Sequence, residues 1–243
     1  MGAARWTGCV AVLTLAIDTA TAQVGVAFGR GGRVVGEVRL DGGRRHAEQL
    51  APAVDYLRRE LGVELEELAF IAVGIGPGLY TGLRVGVTTA RVLAQALGIP
   101  VVGIPSLDLV AYPWRTTTRQ IVAVLDARRQ EVFSARYWPV PDGLQRDGEY
   151  GVGPPAAVVA DIVASGVEVL LVGDGVLAYP DAFSGLDRVE TLGAAAAAPS
   201  VGALVELATA RFEQGERSAP EDIGPMYLRH SDAQIAFGTA GKV

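Results

Sequence analysis

Cysteine and histidine are almost absent from this chain of 243 residues, which has one cysteine and two histidines. A single cysteine, Cys9, excludes an internal disulfide bond and fits a reducing compartment. The histidines, His46 and His230, have no histidine, cysteine or carboxylate partner at the spacing that metal ligands require. The sequence therefore predicts no metal site.

Motifs for nucleophilic and phosphate chemistry are also missing. No Gly-x-Ser-x-Gly elbow occurs, and Cys9 has no partner, so nucleophilic catalysis has no support. No Gly-x-x-x-x-Gly-Lys-Ser/Thr loop occurs either, which excludes a Walker-type site. The net charge is −6 and the pI is near 5.0. An acidic chain of this kind is not expected to bind nucleic acid by itself.

The chain also has no apolar run long enough to cross a membrane. Its segment Cys9–Ile17, followed by Ala20-Thr21-Ala22, imitates a signal peptide with a cleavage site. Thr14 interrupts that run, however, and Asp18 lies just before the supposed cut. Cleavage there would also remove a predicted strand, so we expect a cytoplasmic protein without a membrane span.

What the chain does contain is a strand–turn–helix–strand unit. The apolar run Phe70–Ile75 predicts a buried strand, and a turn with three glycines and Pro77 follows it. Tyr80–Leu97 predicts a helix, and Ile99–Ile104 predicts the next strand. This order is typical of a crossover in a mostly parallel sheet.

Three valine-rich strands are predicted before this unit, at Val10–Asp18, Gln23–Phe28 and Arg33–Leu40. His46 precedes a predicted helix, Ala47–Leu61, which shows apolar residues at helical spacing and is ended by Gly62. Pro52 is expected to bend that helix or delay its start.

The second half of the chain repeats this order in a shorter form, with a turn at Asp174-Gly175 and a serine cap at Ser200. Strands are predicted at Gln120–Asp126, Glu131–Trp138, Leu144–Val152, Val167–Gly173 and Asp187–Thr191, and helices at Ala156–Ser165 and Val201–Gln214. The polar joint Tyr112–Arg119 marks the boundary between two lobes. We therefore divide the chain into a tail at 1–9, a first lobe at 10–111, a smaller second lobe at 112–224 and a tail at 225–243.

Several segments carry a resemblance to a known family. They are LAIDTATAQVGVAF, GIGPGLYTGLRVG, IPVVGIPSLDLVA, VLDARRQEVFSARY and PMYLR. In this order along the chain they resemble the TsaB (YeaZ-like) family of tRNA threonylcarbamoyladenosine biosynthesis subunits, and the resemblance covers roughly residues 12–229. It implies a two-lobed α/β fold of the actin/hexokinase/Hsp70-like (ASKHA) class, with ribonuclease H-like lobes of which the second is reduced.

The resemblance also implies a function. TsaB-like proteins are paralogues of the catalytic subunit TsaD, whose corresponding segment holds a metal with a His-x-x-x-His pair. Here that segment, Pro105–Ala111, has no histidine, and its one carboxylate, Asp108, cannot replace two imidazoles. The implied role is therefore non-catalytic support of a TsaD-like subunit that forms threonylcarbamoyladenosine (t6A) at position 37 of tRNAs reading codons that begin with A.

The implied partners are a TsaD-like subunit, a TsaE-like ATPase and, when the chain is alone, a second copy of itself. Contact with tRNA is expected only through the complex. ATP is used by the complex, and no cofactor is expected for this chain. The alternative function is a small-molecule kinase or ATPase of the actin/hexokinase class.

One group of residues is a candidate vestigial phosphate site: Asp18, Thr19, Gly76, Gly78 and Thr81. In the actin-like superfamily the first turn carries a phosphate- or metal-binding aspartate, and the glycine loop precedes unpaired N–H groups of a helix start. The alternative is structural, because Asp and Thr readily cap turns through nearby backbone N–H groups.

A second group is the candidate partner interface. Gly82, Gly86, Ala90 and Ala94 recur every fourth residue and form a smooth stripe, which either faces another chain or packs on a neighbouring internal helix. The full candidate set is His46, Leu50, Val54, Gly82, Arg84, Gly86, Val87, Ala90, Arg91 and Ala94. If the stripe faces a partner, Ala90→Trp should abolish association and leave the fold intact.

Overall fold

The computed structural model describes residues 11–229 apart from Gly42 and Arg44, and it contains two five-stranded mixed sheets. The first sheet has the order β3-β2-β1-β4-β5. Its strands are β1 (Leu13–Asp18), β2 (Gln23–Arg30), β3 (Arg33–Asp41), β4 (Phe70–Gly74) and β5 (Val101–Ile104). The first three strands pair antiparallel, and β1, β4 and β5 pair parallel.

The second sheet repeats this topology with the order β10-β9-β6-β7-β8. Its strands are β6 (Gln120–Arg128), β7 (Glu131–Val140), β8 (Gly143–Gly153), β9 (Val169–Val172) and β10 (Val189–Thr191). In both sheets an antiparallel three-stranded meander is followed by two strands that join in parallel. The predicted α/β class is therefore confirmed, whereas the lobe boundary at 111/112 remains a prediction.

Helices cover both faces of the first sheet. Helices α1 (His46–Leu61) and α2 (Tyr80–Leu97) lie on one face, where α1 buries a row of apolar residues against β1 and β2. The smaller helices are α3 (Ser106–Ala111), α4 (Pro155–Ser165), α5 (Asp174–Ala178) and α6 (Pro180–Phe183). Among the described residues, no helix is both long and apolar enough to cross a lipid bilayer.

The last helix, α7 (Val201–Glu213), covers the other face of the first sheet. The Phe70 and Phe212 rings stack there with centroids 4.4 Å apart. Chain order had grouped this helix with the second lobe, but it packs on the first sheet. The correction follows from its apolar residues, which complete a core that β1, β2 and β4 begin.

Several local predictions need correction. Helix α1 starts at His46 without delay, although Pro52 lies inside it. Pro52 and Glu48 are both exposed, so the Glu48 carbonyl that loses its helical partner can bond to water. Strand β1 begins at Leu13, and Val10 lies outside the described residues. Asp174-Gly175 starts helix α5 instead of forming an isolated turn.

The predicted helix ends are confirmed. Gly62 ends α1 in the left-handed conformation with φ of 61°, and its N–H reaches the last carbonyls of the helix. The Ser200 side chain accepts a hydrogen bond from the Ala203 N–H and caps α7.

Candidate functional site

The first turn and the glycine loop meet around a buried carboxylate. Asp18, at the end of β1, accepts hydrogen bonds from the Ala20 N–H at 3.0 Å and from the Ser106 hydroxyl at 3.1 Å. A Cβ atom at Gly74 would lie 1.8 Å from Asp18 Oδ2, so glycine is required there. The carboxylate therefore joins β1, β4 and the start of α3 in one packed cluster.

Thr19 joins the same turn to helix α2. Its hydroxyl donates to the Gly82 carbonyl at 2.7 Å, and a Cβ at Gly82 would lie 2.2 Å from the Thr19 carbonyl oxygen. The peptide bond between Gly76 and Pro77 is cis. These hydrogen bonds agree with the interpretation in which Asp18 and Thr19 support local structure.

The structure brings four of the five candidate phosphate residues together, namely Asp18, Thr19, Gly76 and Gly78. Thr81 is exposed at the start of α2 and lines a neighbouring cavity of about 500 Å³ with Gly82, His46 and Arg128. Phosphate binding by this group remains a prediction.

Burial changes the acidity of Asp18. Removal of the carboxylate from water raises its pKa from 3.8 to about 6, and the hydrogen bonds from Ala20 and Ser106 only partly oppose this rise. Between these pH values the folded chain holds a proton that the unfolded chain has released. The free energy of unfolding therefore falls as the pH rises through this window, and it levels off above it.

We expect Asp18→Asn to remove this part of the pH dependence. The rise of the Asp18 pKa from 3.8 to about 6 corresponds to about 3 kcal/mol, so the wild-type chain should lose up to that amount between about pH 4 and 7.5. Urea unfolding at several pH values measures the slope, and the exposed Asp187→Asn is the matched control. An Asp18→Asn variant that retains the full wild-type decline would contradict the role given to this carboxylate.

Asp108 stands in the segment where a TsaD-like enzyme would carry its histidine pair. Its Oδ1 accepts hydrogen bonds from the hydroxyls of Tyr137 at 2.7 Å and Tyr150 at 2.8 Å. Burial and the neighbouring carboxylate raise the pKa of both phenols, so the hydroxyls stay protonated as donors. Asp108 therefore fastens α3 to β7 and β8. Among the described residues, no cluster of three or more potential metal ligands exists.

The sequence leaves two orientations open for the smooth stripe on α2, and the structure shows the internal one. Gly82, Gly86, Ala90 and Ala94 are buried against the chain itself, and Val92 on the bulkier side is 59% exposed. A Cβ at Gly86 would lie 2.3 Å from the Thr19 hydroxyl oxygen. The small residues are needed because the first turn approaches the helix closely. The alternative of internal packing therefore holds, with a turn and strands as the neighbours instead of a helix.

Most of the candidate interface residues are consequently inaccessible. Only Arg84 is exposed and Arg91 is half-buried. The other eight are buried, namely His46, Leu50, Val54, Gly82, Gly86, Val87, Ala90 and Ala94. His46 is the first residue of α1, one residue before the predicted start, and its Nε2 lies 2.7 Å from the Thr21 carbonyl oxygen.

A groove between the outer faces of α1 and α2 contains Leu50 and Arg84 of the candidate interface set, whereas its other lining residues were not predicted as interface residues. It has a volume of about 540 Å³ and is lined by Ala47, Leu50, Ala51, Tyr80, Thr81, Arg84, Val85, Thr88 and Thr89. Pairs of residues four apart line it on both helices, the small Ala47 and Ala51 on α1 and the β-branched Thr81 and Val85 on α2. This spacing is visible in the sequence, but it indicates a close contact less strongly than the glycine stripe does.

A further cavity of about 470 Å³ lies between the glycine loop and the second sheet. The loop Gly78–Tyr80, the turn Ala127–Arg129 and the segment Met226–Arg229 line it. The last segment belongs to the predicted tail. Its Met226 N–H donates to the Ile75 carbonyl at 2.7 Å, and the Tyr227 ring stacks on Tyr80 with centroids 5.4 Å apart.

A family model and several known proteins are similar to this chain in sequence. The model of a family described as "TsaD: tRNA N6-adenosine threonylcarbamoyltransferase" matches residues 38–237. The tRNA threonylcarbamoyladenosine biosynthesis protein TsaB of Escherichia coli is 31% identical, over 90% of this chain and 95% of that protein. An uncharacterized protein of Mycobacterium tuberculosis is 39% identical over 61% of this chain, and the match spans 66% of that relative's length.

A solved structure described as YeaZ from Pseudomonas aeruginosa has the same fold. It matches with a TM-score of 0.77 and 30% identity, over 89% of this chain and all of that chain. The ethanolamine utilization protein EutJ from Carboxydothermus hydrogenoformans matches with a TM-score of 0.50 at 11% identity, which concerns the fold alone. The predicted two-lobed actin-like α/β class is confirmed.

Proposed function

Because the chain belongs to the TsaB (YeaZ) branch of the TsaD family, we propose that it is a non-catalytic subunit needed to form t6A at position 37 of tRNAs that read codons beginning with A. It acts by binding and supporting a TsaD-like catalytic subunit. The match to Escherichia coli TsaB along almost the whole of both chains supports the role in t6A formation.

The observation that carries the non-catalytic role is the position of Asp108. This carboxylate is held between the hydroxyls of Tyr137 and Tyr150, in the segment where the resemblance to TsaD places the metal-binding histidines. One engaged carboxylate offers neither the number nor the type of ligand that a catalytic metal needs. The segment instead fixes α3 against the second sheet.

The α1–α2 groove is our proposed docking site for the TsaD-like subunit. Its exposed small residues, among them Ala47, Ala51 and Thr88, let the backbone of another helix approach closely. A partner built on the same fold would present an equivalent helix pair. A second copy of this chain would use the same groove when the partner is absent, because both chains offer the same kind of surface.

The remaining parts of the proposal follow from membership of the family. A TsaE-like ATPase joins the complex, ATP is consumed by the complex, and this chain holds no cofactor of its own. The cytoplasm is the proposed location. A small-molecule kinase or ATPase is the less favoured alternative, because the matching family and the Escherichia coli relative are named for tRNA modification.

Reconstitution of the modification tests the proposal. A TsaD-like subunit, a TsaE-like ATPase, ATP, threonine and bicarbonate, with the enzyme that makes the threonylcarbamoyl donor, should modify an unmodified tRNA only when this chain is added. The purified chain alone should neither hydrolyse ATP nor modify tRNA. Equal t6A yield without the chain would contradict the supporting role, and ATP turnover by the isolated chain would favour the kinase or ATPase alternative.

A further inference from the structure

Three neighbouring cavities share Tyr80 and run from the α1–α2 groove to the tail segment. Within the described part of the chain, their linings contain four arginines and a histidine but no aspartate or glutamate. The basic side chains are Arg84, Arg128, Arg129, Arg229 and His46. The whole chain has 27 acidic residues and only 21 lysines and arginines. Arginines that line a cleft of an otherwise acidic protein favour an anionic ligand.

Aromatic rings are exposed on the same surface. Tyr80 is 53% exposed and Tyr227 is 49% exposed, and the two rings stack on each other. The Arg84 guanidinium lies 5.4 Å from the Tyr80 ring centroid and donates to the Tyr80 hydroxyl at 2.8 Å. Exposed rings beside arginines are the usual platform for unpaired nucleic acid bases, which stack on the rings while phosphates meet the cations.

Arg128 and Arg129 lie in an unusual turn between β6 and β7. Arg128, Arg129 and Gln130 all adopt positive φ, between 55° and 61°. Each left-handed residue of this kind costs on the order of 1 kcal/mol, and such conformations cluster at ligand-binding sites. The Asp126 carboxylate accepts from the Arg128 N–H at 2.8 Å, and the Asp174 carboxylate accepts from the Asp126 N–H at 2.9 Å.

Carboxylates pair with the arginines at both ends of this cleft. Arg128 pairs with Asp126 at 2.9 Å, and Arg229 pairs with Glu131. A guanidinium has five N–H donors, so one carboxylate leaves donors that can reach a phosphate. The ion pairs therefore fix the positions of Arg128 and Arg229 and leave some of their N–H donors available for a ligand.

We propose that the cleft formed by Tyr80, Tyr227, Arg84 and the Arg128–Arg129 turn binds a single-stranded segment of RNA. The inference rests on the proposed function, in which the anticodon loop of a tRNA is the substrate of the complex. It extends that function, because this chain would contact the RNA directly beside the docking groove. Two adjoining cavities outside the docking groove, of about 470 and 500 Å³, give room for more than one nucleotide.

The test uses the complex of the full chain with its TsaD-like partner and a labelled anticodon stem-loop RNA. Tyr227→Ala should weaken binding, measured by fluorescence anisotropy, roughly 10-fold through the loss of one stacked base. Arg128→Gln should lower the slope of the logarithm of the binding constant against the logarithm of the salt concentration by about 0.7–1. Tyr56→Ala and Arg59→Gln are the matched controls, an exposed tyrosine and an arginine paired with Asp55 at 2.8 Å.

Size-exclusion chromatography of each variant with the TsaD-like partner distinguishes a failure of the RNA cleft from a failure of the proposed function. An intact complex with weaker RNA binding and an altered salt slope supports the RNA cleft. Wild-type RNA binding by both cleft variants would overturn it, as would displacement of the RNA by equimolar AMP or ATP, which would indicate a free-nucleotide site. If no complex forms, the proposed function fails, and the RNA cleft, which rests on it, is overturned with it.

Discussion

Replacement of Ala90 by tryptophan should prevent stable folding of the chain. Ala90 is fully buried between α2 and the first sheet, where it packs with Ile71, Val73 and Val101. Protein interiors have almost no free volume, so an indole ring at this position must displace α2 or the strands. We expect a loss of about 3 kcal/mol or more, a large part of the stability of an ordinary domain.

Val92→Trp is the matched control, because it places the same ring two residues away on the exposed side of α2. Its free energy of unfolding in urea should stay within about 0.5 kcal/mol of the wild-type value. Any failure of Ala90→Trp to bind a partner would then be a consequence of unfolding. A soluble Ala90→Trp variant that has wild-type stability but no longer binds its partner would instead support the hypothesis that the stripe faces the partner.

The glycine stripe shows what sequence periodicity can and cannot establish. The spacing of Gly82, Gly86, Ala90 and Ala94 correctly predicts that something approaches α2 closely. It does not tell whether the neighbour belongs to the same chain, because a backbone of either origin needs the same absence of side chains. Here the neighbour is the turn at Thr19, which is 63 residues away from Gly82 along the chain.

The element order was more predictable than the tertiary contacts. Helix α2 has the predicted bounds, and the turn chemistry of Gly62 and Ser200 was recognisable because capping depends on residues that are adjacent in sequence. The return of α7 to the first sheet depends on contacts between distant residues, such as Phe70 with Phe212. No local pattern encodes that pairing, so chain order alone assigned the helix to the second lobe.

Some features of the candidate site could likewise be predicted from the sequence, and others could not. The histidine-free segment Pro105–Ala111 is a local feature and was visible in the sequence. The hydrogen bonds that Asp108 accepts from Tyr137 and Tyr150 were not, because three separate elements bring these side chains together. The α1–α2 groove and the cleft beside Tyr227 likewise exist only once distant segments are packed.

Replacement of Thr88 by tryptophan should abolish association with the TsaD-like subunit while the chain remains folded. Thr88 is exposed in the middle of α2 and lines the groove between α1 and α2. An indole ring there would fill the space that a partner helix needs, so the interface helices could no longer approach each other. We expect the affinity to fall at least about 100-fold, the size of effect that central interface positions show.

Ala51→Trp, on the facing side of the groove, should have the same effect, and Val163→Trp is the control because Val163 is 65% exposed on α4, away from the groove. Size-exclusion chromatography with the TsaD-like subunit and the t6A yield of the reconstituted system give two independent measurements. Both groove variants should elute as free chains and leave the tRNA unmodified, whereas Val163→Trp should behave as the wild type. Co-elution of Thr88→Trp and Ala51→Trp with the partner would remove the groove from the interface, because a surface that tolerates two added indoles is not closely covered by another chain.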